Sequence, residues 1–441
     1  MKIDLANLIL ICIVSGASCR AGIAQEPTAA SIASISLQEA IKRSQSTNTA
    51  FAAATTDAQV AQSERSIARA ALLPSVAYHN QYLYTQGTGG SSFRVRFIAN
   101  NTVHEYVSQG SVTETIGGAG LGAYKRASAE AAAARARLEV ARRGLVVTVV
   151  GNYYGVIAAD AKLSVARRAL DEANHFSSIT GKRESSGEVA HADTVRADLQ
   201  IQQRQRELND AELAADRVRL DLGILLFSDP TTPYKLTSSL DELPNLPSLS
   251  EIEASSMNHN PDLKAVMESF HAAQLGVTAA RFAYAPDLSI NYSYGIDSAQ
   301  FAVRAPDGSR NLGYSAAVTF DIPVWDWLAS RSRIHESVVR REQAEVELTL
   351  TQRQLIASLH EIYQEAQVSL EQLRLLDRSV RSATESLRLT NLRYSSGEGS
   401  VLEVVDSENT LVQAESSRAD GAARYFNALA NLQTLTGSMP R

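Results

Sequence analysis

Arg183-Glu184-Ser185-Ser186-Gly187-Glu188 and Arg393-Tyr394-Ser395-Ser396-Gly397-Glu398 differ at a single position and stand 210 residues apart. The same offset pairs Tyr153 with Tyr363 and Leu163 with Leu373. Nearer the N-terminus the offset becomes 212. There Ser36-Leu37-Gln38-Glu39 meets Ser248-Leu249-Ser250-Glu251, Asn48 meets Asn260, Arg69 meets Arg281, Pro74 meets Pro286 and Tyr82 meets Tyr294. A register held across so many kinds of residue marks an internal duplication, and self-similarity decides architecture before local propensity does. The slip of two falls between Tyr82 and Tyr153, where a loop absorbs it. Repeat 1 covers 36–226 and repeat 2 covers 248–436. Residues 227–247, with Pro230, Pro233, Pro244 and Pro247, form a Pro-rich linker expected to lie as irregular chain around the waist.

Each repeat reads as helix, strand, loop, strand, very long helix, tight turn, helix. Ser36 with Glu39, and Ser248 with Glu251, are capping boxes that open helices over 37–72 and 249–284. Pro74 and Pro286 stop the helix and start extended chain. After Pro286, Leu288, Ile290, Tyr292 and Tyr294 alternate with polar residues, and Tyr314, Ala316, Val318, Phe320 and Ile322 do the same. A period of two with one apolar side is a strand. Strands are expected near 75–84, 108–116, 287–294 and 313–322. The second of these rests mainly on the repeat, because its own alternation is weak.

The long helices carry a heptad signature. Leu355, Leu359, Ile362, Ala366, Ser369, Leu373, Leu376, Val380, Ala383 and Leu387 recur at steps of three and four. Subtracting the repeat offset gives a matching series from Leu145 and Val149 to Ala173 and Ser177. A mean spacing of 3.5 sustained this far means coiled-coil packing. Helices over 123–182 and 328–392 would be about 90 and 98 Å long. The returning helices, 189–226 and 402–436, reach only about 57 and 52 Å. Length arithmetic then pairs 189–226 end to end with 249–284, and 402–436 with 37–72, at about 110 and 106 Å. The fold class is mainly α with a small β part. Four strands cannot close a barrel, and a free edge is forbidden in lipid, so they must enter a barrel shared between chains.

Composition narrows the function. The chain has 441 residues, a net charge of −6, 6% aromatic residues and 65 alanines. Small side chains let helices approach closely, and so mild an acidity argues against nucleic acid as a partner. Both cysteines fall within the first nineteen positions, which excludes a disulfide scaffold. Lys2 precedes an apolar run over 5–17, too short to span a membrane but suited to a signal peptide over 1–24. Two processing readings stand. Gly22-Ile23-Ala24 suits cleavage after Ala24, and Gly16-Ala17-Ser18-Cys19 resembles a lipobox that would leave an acylated Cys19. No later run reaches eighteen consecutive apolar residues, so no helical span is expected. No nucleophile elbow, phosphate loop or His-x-x-x-His appears, so neither enzyme, metal site nor cofactor is expected.

The duplicated layout resembles the outer membrane efflux protein family, the TolC-like outer membrane factors. Gly187-Glu188-Val189 with Asp193 and Ala197 is similar to the family's first tip turn. Arg393-Tyr394-Ser395-Ser396-Gly397 followed by Leu402-Glu403-Val404-Val405-Asp406 is similar to the second. Ile322-Pro323-Val324-Trp325-Asp326 looks like the stretch joining the last strand to the long helix. The resemblance implies a homotrimer in the outer membrane with a twelve-stranded barrel and a helical tunnel extending into the periplasm. It implies a passive exit duct for efflux or type I secretion, with a periplasmic adaptor and, through it, an inner-membrane pump as partners. A periplasmic adaptor or a structural coiled coil is the alternative.

On that resemblance Gly187, Glu188, Val189, Gly397, Glu398, Val401 and Leu402 would present the adaptor-docking tips. Tyr394, Glu403 and Asp406 would form the constriction. The last two lie three apart on one helix face and would become rings of negative charge in a trimer, favouring cations. Trp325 and Trp327 would anchor at the membrane interface, as aromatic belts do. Two departures stand out. Gly399 occupies the place where TolC carries a locking arginine, and the Gly-rich run 117–122 is expected to loosen the start of the first long helix.

Overall fold

A computed structural model of the chain describes residues 33–84, 104–240 and 243–437. The signal segment 1–24 and Cys19 lie outside them. The order is β1 (Ala33–Ile35), α1 (Leu37–Thr47), α2 (Thr49–Ala70), β2 (Ser75–Tyr84), β3 (His104–Ile116), α3 (Gly118–Ser185), α4 (His191–Leu226), β4 (Tyr234–Leu236), α5 (Leu249–His259), α6 (Pro261–Arg281), β5 (Asp287–Ser298), β6 (Leu312–Asp321), α7 (Ala329–Ser395) and α8 (Val401–Thr436). The protein is mainly helical, with a small sheet.

The first helix of each repeat is broken in two. Asn48 ends α1 and starts α2, its Oδ1 accepting from Phe51 N at 2.9 Å. Asn260 does the same between α5 and α6, accepting from Leu263 N at 2.9 Å, with Pro261 at the first helical position. An Asn cap satisfies orphan N–H groups that the bend would otherwise strand. The paired asparagines are therefore hinge caps.

The heptad positions on α7 point inward as expected: Leu355, Leu359, Ala366, Ser369, Leu373, Ala383 and Leu387 are buried. Yet α3 buries 21 residues and α7 only nine, although they have nearly equal length. The neighbours explain this. α3 packs against α4 and α8 in one half and against α2 and α6 in the other, whereas α7 packs mainly against α8 and α6 and touches α3 at the tip. The layer thus runs α7, then α8 with α6, then α3, then α4 with α2. One flank of α7 and one flank of the α4–α2 column have no neighbour among the described residues. α3 contains a stretch long and apolar enough to cross a membrane by composition, and 44% of that window is buried against these neighbours.

The end-to-end pairing differs from the one that length suggested. Leu222 and Leu226 at the end of α4 share a core with Leu37 and Ala40 of α1, and the Arg43 guanidinium lies 5.5 Å over the Phe227 ring. At the end of α8, Thr436 O accepts from Ser255 Oγ at 2.8 Å and Leu435 O from Asn260 Nδ2 at 3.3 Å. So α4 continues into α1–α2, and α8 into α5–α6. α4 and α8 both have 36 residues, so length could not separate the two pairings. The core residues at the junctions decide.

Near those junctions the linker is partly regular. β4 pairs in parallel with β1, and Tyr153 and Tyr425, both fully buried, donate to Ile35 O at 3.1 Å and Pro244 O at 2.6 Å. The Gly-rich run is not loose either. α3 already begins at Gly118, and a Cβ on Gly122 would lie 2.7 Å from Ala279 Cβ. The glycines permit close approach of α3 to α6.

The sheet order is β2-β3-β5-β6, all antiparallel, with β2 and β6 as edges. Its register aligns Val76, Val112, Tyr292 and Ala316, and likewise Ile116, Leu288 and Phe320, on one face. That apolar face is open: Val76, Tyr78, Tyr314 and Val318 are each at least 68% exposed.

Candidate functional site

At the end of the helical rod opposite the sheet, the two hairpins α3–α4 and α7–α8 meet. Both turns share one backbone solution. Gly187 has φ 77° and Gly397 φ 81°, the left-handed region that glycine enters without a Cβ clash. Glu188 N donates to Arg183 O and Glu398 N to Arg393 O, each at 2.9 Å. These bonds satisfy carbonyls that a helix end leaves open. Beyond the first turn, Glu184 accepts from Thr194 Oγ1 at 2.6 Å and lies 2.7 Å from His191 Nδ1. The Thr194 hydrogen bond, then that of His191, holds the Glu184 carboxyl below its ordinary value. Beyond the second turn, Ser400 caps α8 by accepting from Glu403 N at 3.3 Å.

A small core joins the hairpins: Phe176, Ala197, Tyr394, Val401 and Val404. Tyr394 is 5% exposed and sits at its centre. The Phe176 ring lies 5.0 Å from it. Thr180 Oγ1 donates to Phe176 O at 3.0 Å, which leaves the Tyr394 hydroxyl to donate to Thr180 Oγ1 at 3.1 Å. Arg183 reaches across from α3. Its Nη1 donates to Tyr394 O at 2.7 Å and its Nη2 to Ser395 O at 2.8 Å, while the guanidinium covers the Tyr394 ring at 4.8 Å. An arginine of one hairpin thus caps the last carbonyls of the other, where the helix dipole favours a cation.

The remaining expected residues divide. Glu188, Glu398 and Leu402 are exposed at the tips and Val189 is half-buried, but Val401 is 2% exposed and belongs to the tip core. Glu403 and Asp406 both face outward from α8. Glu403 pairs with Arg393 of its own hairpin at 3.0 Å. Gly399 is packed so closely that a Cβ there would lie 2.9 Å from Tyr394 N. A side chain at 399 would require the turn to shift, and the inter-hairpin contact is made by Arg183. Far away, between β6 and α7, Trp325 and Trp327 are 68% and 86% exposed, so neither is packed among the helices of its own chain. Trp327 and Leu328 adopt φ 55° and 66°, a strained pair, while Asp326 Oδ2 accepts from Ser330 N at 2.7 Å. Among the described residues no group of three or more His, Cys, Asp or Glu is placed to hold a metal ion.

Sequence reasoning passed over three residues beside the tip core. Glu408 is 6% exposed, and its Oε2 has no hydrogen-bond partner among the described residues. Burial, reinforced by the Glu172 carboxylate and opposed by Arg204, pushes its pKa up to about 7. Glu172 is raised too, chiefly by burial. Arg204 is almost fully buried and donates to Glu207 and to Asn409, both at 2.6 Å. A signal existed: Glu408 follows Val401 and Val404 at steps of three and four, where the inward stripe calls for an apolar side chain.

The fold is a duplicated pair of helical hairpins that ends in an open sheet at one pole and in clasped turns at the other. The chain belongs to the outer membrane efflux protein family, whose profile matches residues 40–226 and 254–438. It is accordingly an outer membrane protein whose helices extend into the periplasm. Among its relatives, the outer membrane protein OprJ of Pseudomonas aeruginosa is 23% identical over 300 residues, covering 66% of this chain and 61% of that protein. The cobalt-zinc-cadmium resistance protein CzcC of Cupriavidus metallidurans is 20% identical over 305 residues, 69% of this chain and 70% of that one. The chain spans about three fifths of the length of the first curated relatives it matches. The MtrE outer membrane channel of Neisseria gonorrhoeae, solved in its open state, superposes with a TM-score of 0.76 at 19% identity, over 91% of this chain and 89% of that one. The CmeC outer membrane channel of Campylobacter jejuni gives 0.74 at 18%, over 91% and 85%.

Proposed function

We propose that the chain is one third of a trimeric exit duct, a passive conduit of an efflux or type I secretion machine. A periplasmic adaptor opens it and an inner-membrane pump, coupled through that adaptor, supplies the energy. One observation carries this reading: the protomer ends in unmatched edges at both levels. Among the described residues β2 and β6 are free edges of an antiparallel sheet, and joining β6 to the next copy's β2 continues the antiparallel order. Three copies give twelve strands and leave no edge in lipid. The free flank of α7 meets the free flank of the neighbour's α4–α2 column in the same closure. The open apolar sheet face then meets lipid, with Trp325 and Trp327 at its inner rim.

The tips do the gating. Gly187, Glu188, Val189, Gly397, Glu398 and Leu402 form the surface that an adaptor grips, with Val401 fixing α8 beneath it. Tyr394 holds the two hairpins in register. Glu403 and Asp406 become rings of three or six negative charges at the constriction, and such rings favour cations. Opening requires the α7–α8 hairpin to leave Arg183 and Thr180.

Conductance tests the reading. The purified protein is expected to elute as an elongated trimer and to form cation-selective channels in planar bilayers, with Asp406→Ala lowering the selectivity. A monomer with helical dichroism and no conductance overturns the duct, and an unchanged selectivity in Asp406→Ala removes that residue from the constriction.

A further inference from the structure

Between α3 and α7, above α8 and next to the tip core, lies a groove of about 540 Å³. That size holds a drug-sized molecule. Its lining is two-sided. Phe176, Ile179 and Leu387 are apolar, while Asp171, Glu172 and Glu408 bring carboxyl groups. The deepest of these is Glu408, more than nine-tenths buried, with an Oε2 that has no hydrogen-bond partner among the described residues. The nearby cation, Arg204, is already committed to Glu207 and Asn409. A buried carboxyl without a partner is costly and calls for either a proton or a cation from outside.

We propose that this groove binds an organic cation, a protonated amine carried on an apolar body, with the ammonium against the Glu408 carboxyl and the body against Phe176, Ile179 and Leu387. The apolar wall selects an amine with a hydrophobic body over a hydrated metal ion, in keeping with the lack of any metal-holding group among the described residues. The site does not depend on the duct reading, because it is complete within one chain. Binding requires Glu408 to be ionised. The charged and titratable groups facing it are Asp171, Glu172, His175 and Arg183 from α3, Arg204 from α4 and Tyr394 from α7. With the Glu408 carboxyl titrating near pH 7, affinity falls about tenfold from pH 8 to pH 6.

The test uses the full chain in detergent, with dansylcadaverine as the amine and its N-acetyl derivative as the uncharged match. Fluorescence anisotropy is read against protein-free micelles. Dansylcadaverine is expected to bind about tenfold or more tighter than the acetylated form. Glu408→Gln is expected to lose that preference and the pH dependence, while the exposed control Glu361→Gln keeps both. Ile179→Trp, which fills the groove and leaves the carboxyl, is expected to weaken binding equally, so the outcome does not hang on one variant. Equal binding of the two dansyl compounds, an unaltered Glu408→Gln, or no binding to the wild type overturns the proposal.

Discussion

The rod is held in two different ways along its length. At the equator twenty buried residues form one cluster around Tyr153, Tyr154, Tyr425 and Phe426, with the Tyr154 and Phe426 rings stacked at 4.0 Å. At the tips the cluster has five residues, and the hairpins are joined mainly by Arg183 and Thr180. Burial of apolar area is non-directional and resists any opening. A few directional bonds to carbonyls can be exchanged for water or for a partner's groups at modest net cost. One chain thus carries a fixed waist and a releasable end, and local stability is expected to fall from the first to the second.

The largest break in this contrast comes from the waist. Tyr153→Ala removes a fully buried ring and its bonds to Ile35 O and Ser238, at 3.1 and 3.0 Å. A cost of about 3–5 kcal/mol is expected. It should appear as a lower melting temperature of helical dichroism and a reduced yield of assembled protein. An unchanged melt would mean that the waist is not the anchor.

A smaller effect of opposite sign belongs to Glu408. Its folded-state pKa is pushed up to about 7 from an ordinary 4.5, so the folded chain prefers the protonated acid. The penalty is absent below pH 4.5 and grows as pH rises through 7. Glu408→Gln is expected to stabilise the tips by at most about 3 kcal/mol at pH 8 and by nothing at pH 4. Hydrogen exchange of amides in 385–410 reads this. Slower exchange at pH 8, after correction for intrinsic rates, supports it, and slower exchange at pH 4 alone contradicts it.

The waist and the tips also differ in how far the sequence revealed them. Repeat offsets and heptads foretold the inward seam of α7, because a coiled-coil position states its own burial. β3 was hard to read because it sets Ser108, Gly110 and Glu114 on the sheet's apolar face and so loses its alternation. The end-to-end pairing was misread because the two repeats have matching lengths, and only side chains at the junction distinguish them. Gly187 and Gly397 were legible as turns from residue type alone. The Arg183 bridge was not, since a helical arginine between polar neighbours looks like a solvated face until the second hairpin is placed beside it. Glu408 left a trace, a carboxyl in an apolar stripe, that a reading directed at exposed charges passed over.

The repeat itself supplies the finest test. Arg183 and Arg393 occupy the same position in the two tip turns, yet only one crosses between hairpins. Arg183 is 22% exposed at its side chain and bonds two carbonyls of α7. Arg393 is 57% exposed and pairs with Glu403, 45% exposed, on the hairpin it came from. Charge-assisted bonds contribute about 1.5–3 kcal/mol when enclosed, and partial exposure brings Arg183 to about 1–2. An exposed pair such as Arg393 with Glu403 is worth about 0–1 kcal/mol. Arg183→Ala is therefore expected to raise channel conductance and speed hydrogen exchange at both tips, with equatorial protection unchanged. Arg393→Ala should change these by less than about twofold. Equal effects of the two substitutions would mean that net charge at the tip, and not the bridge between hairpins, holds the end closed.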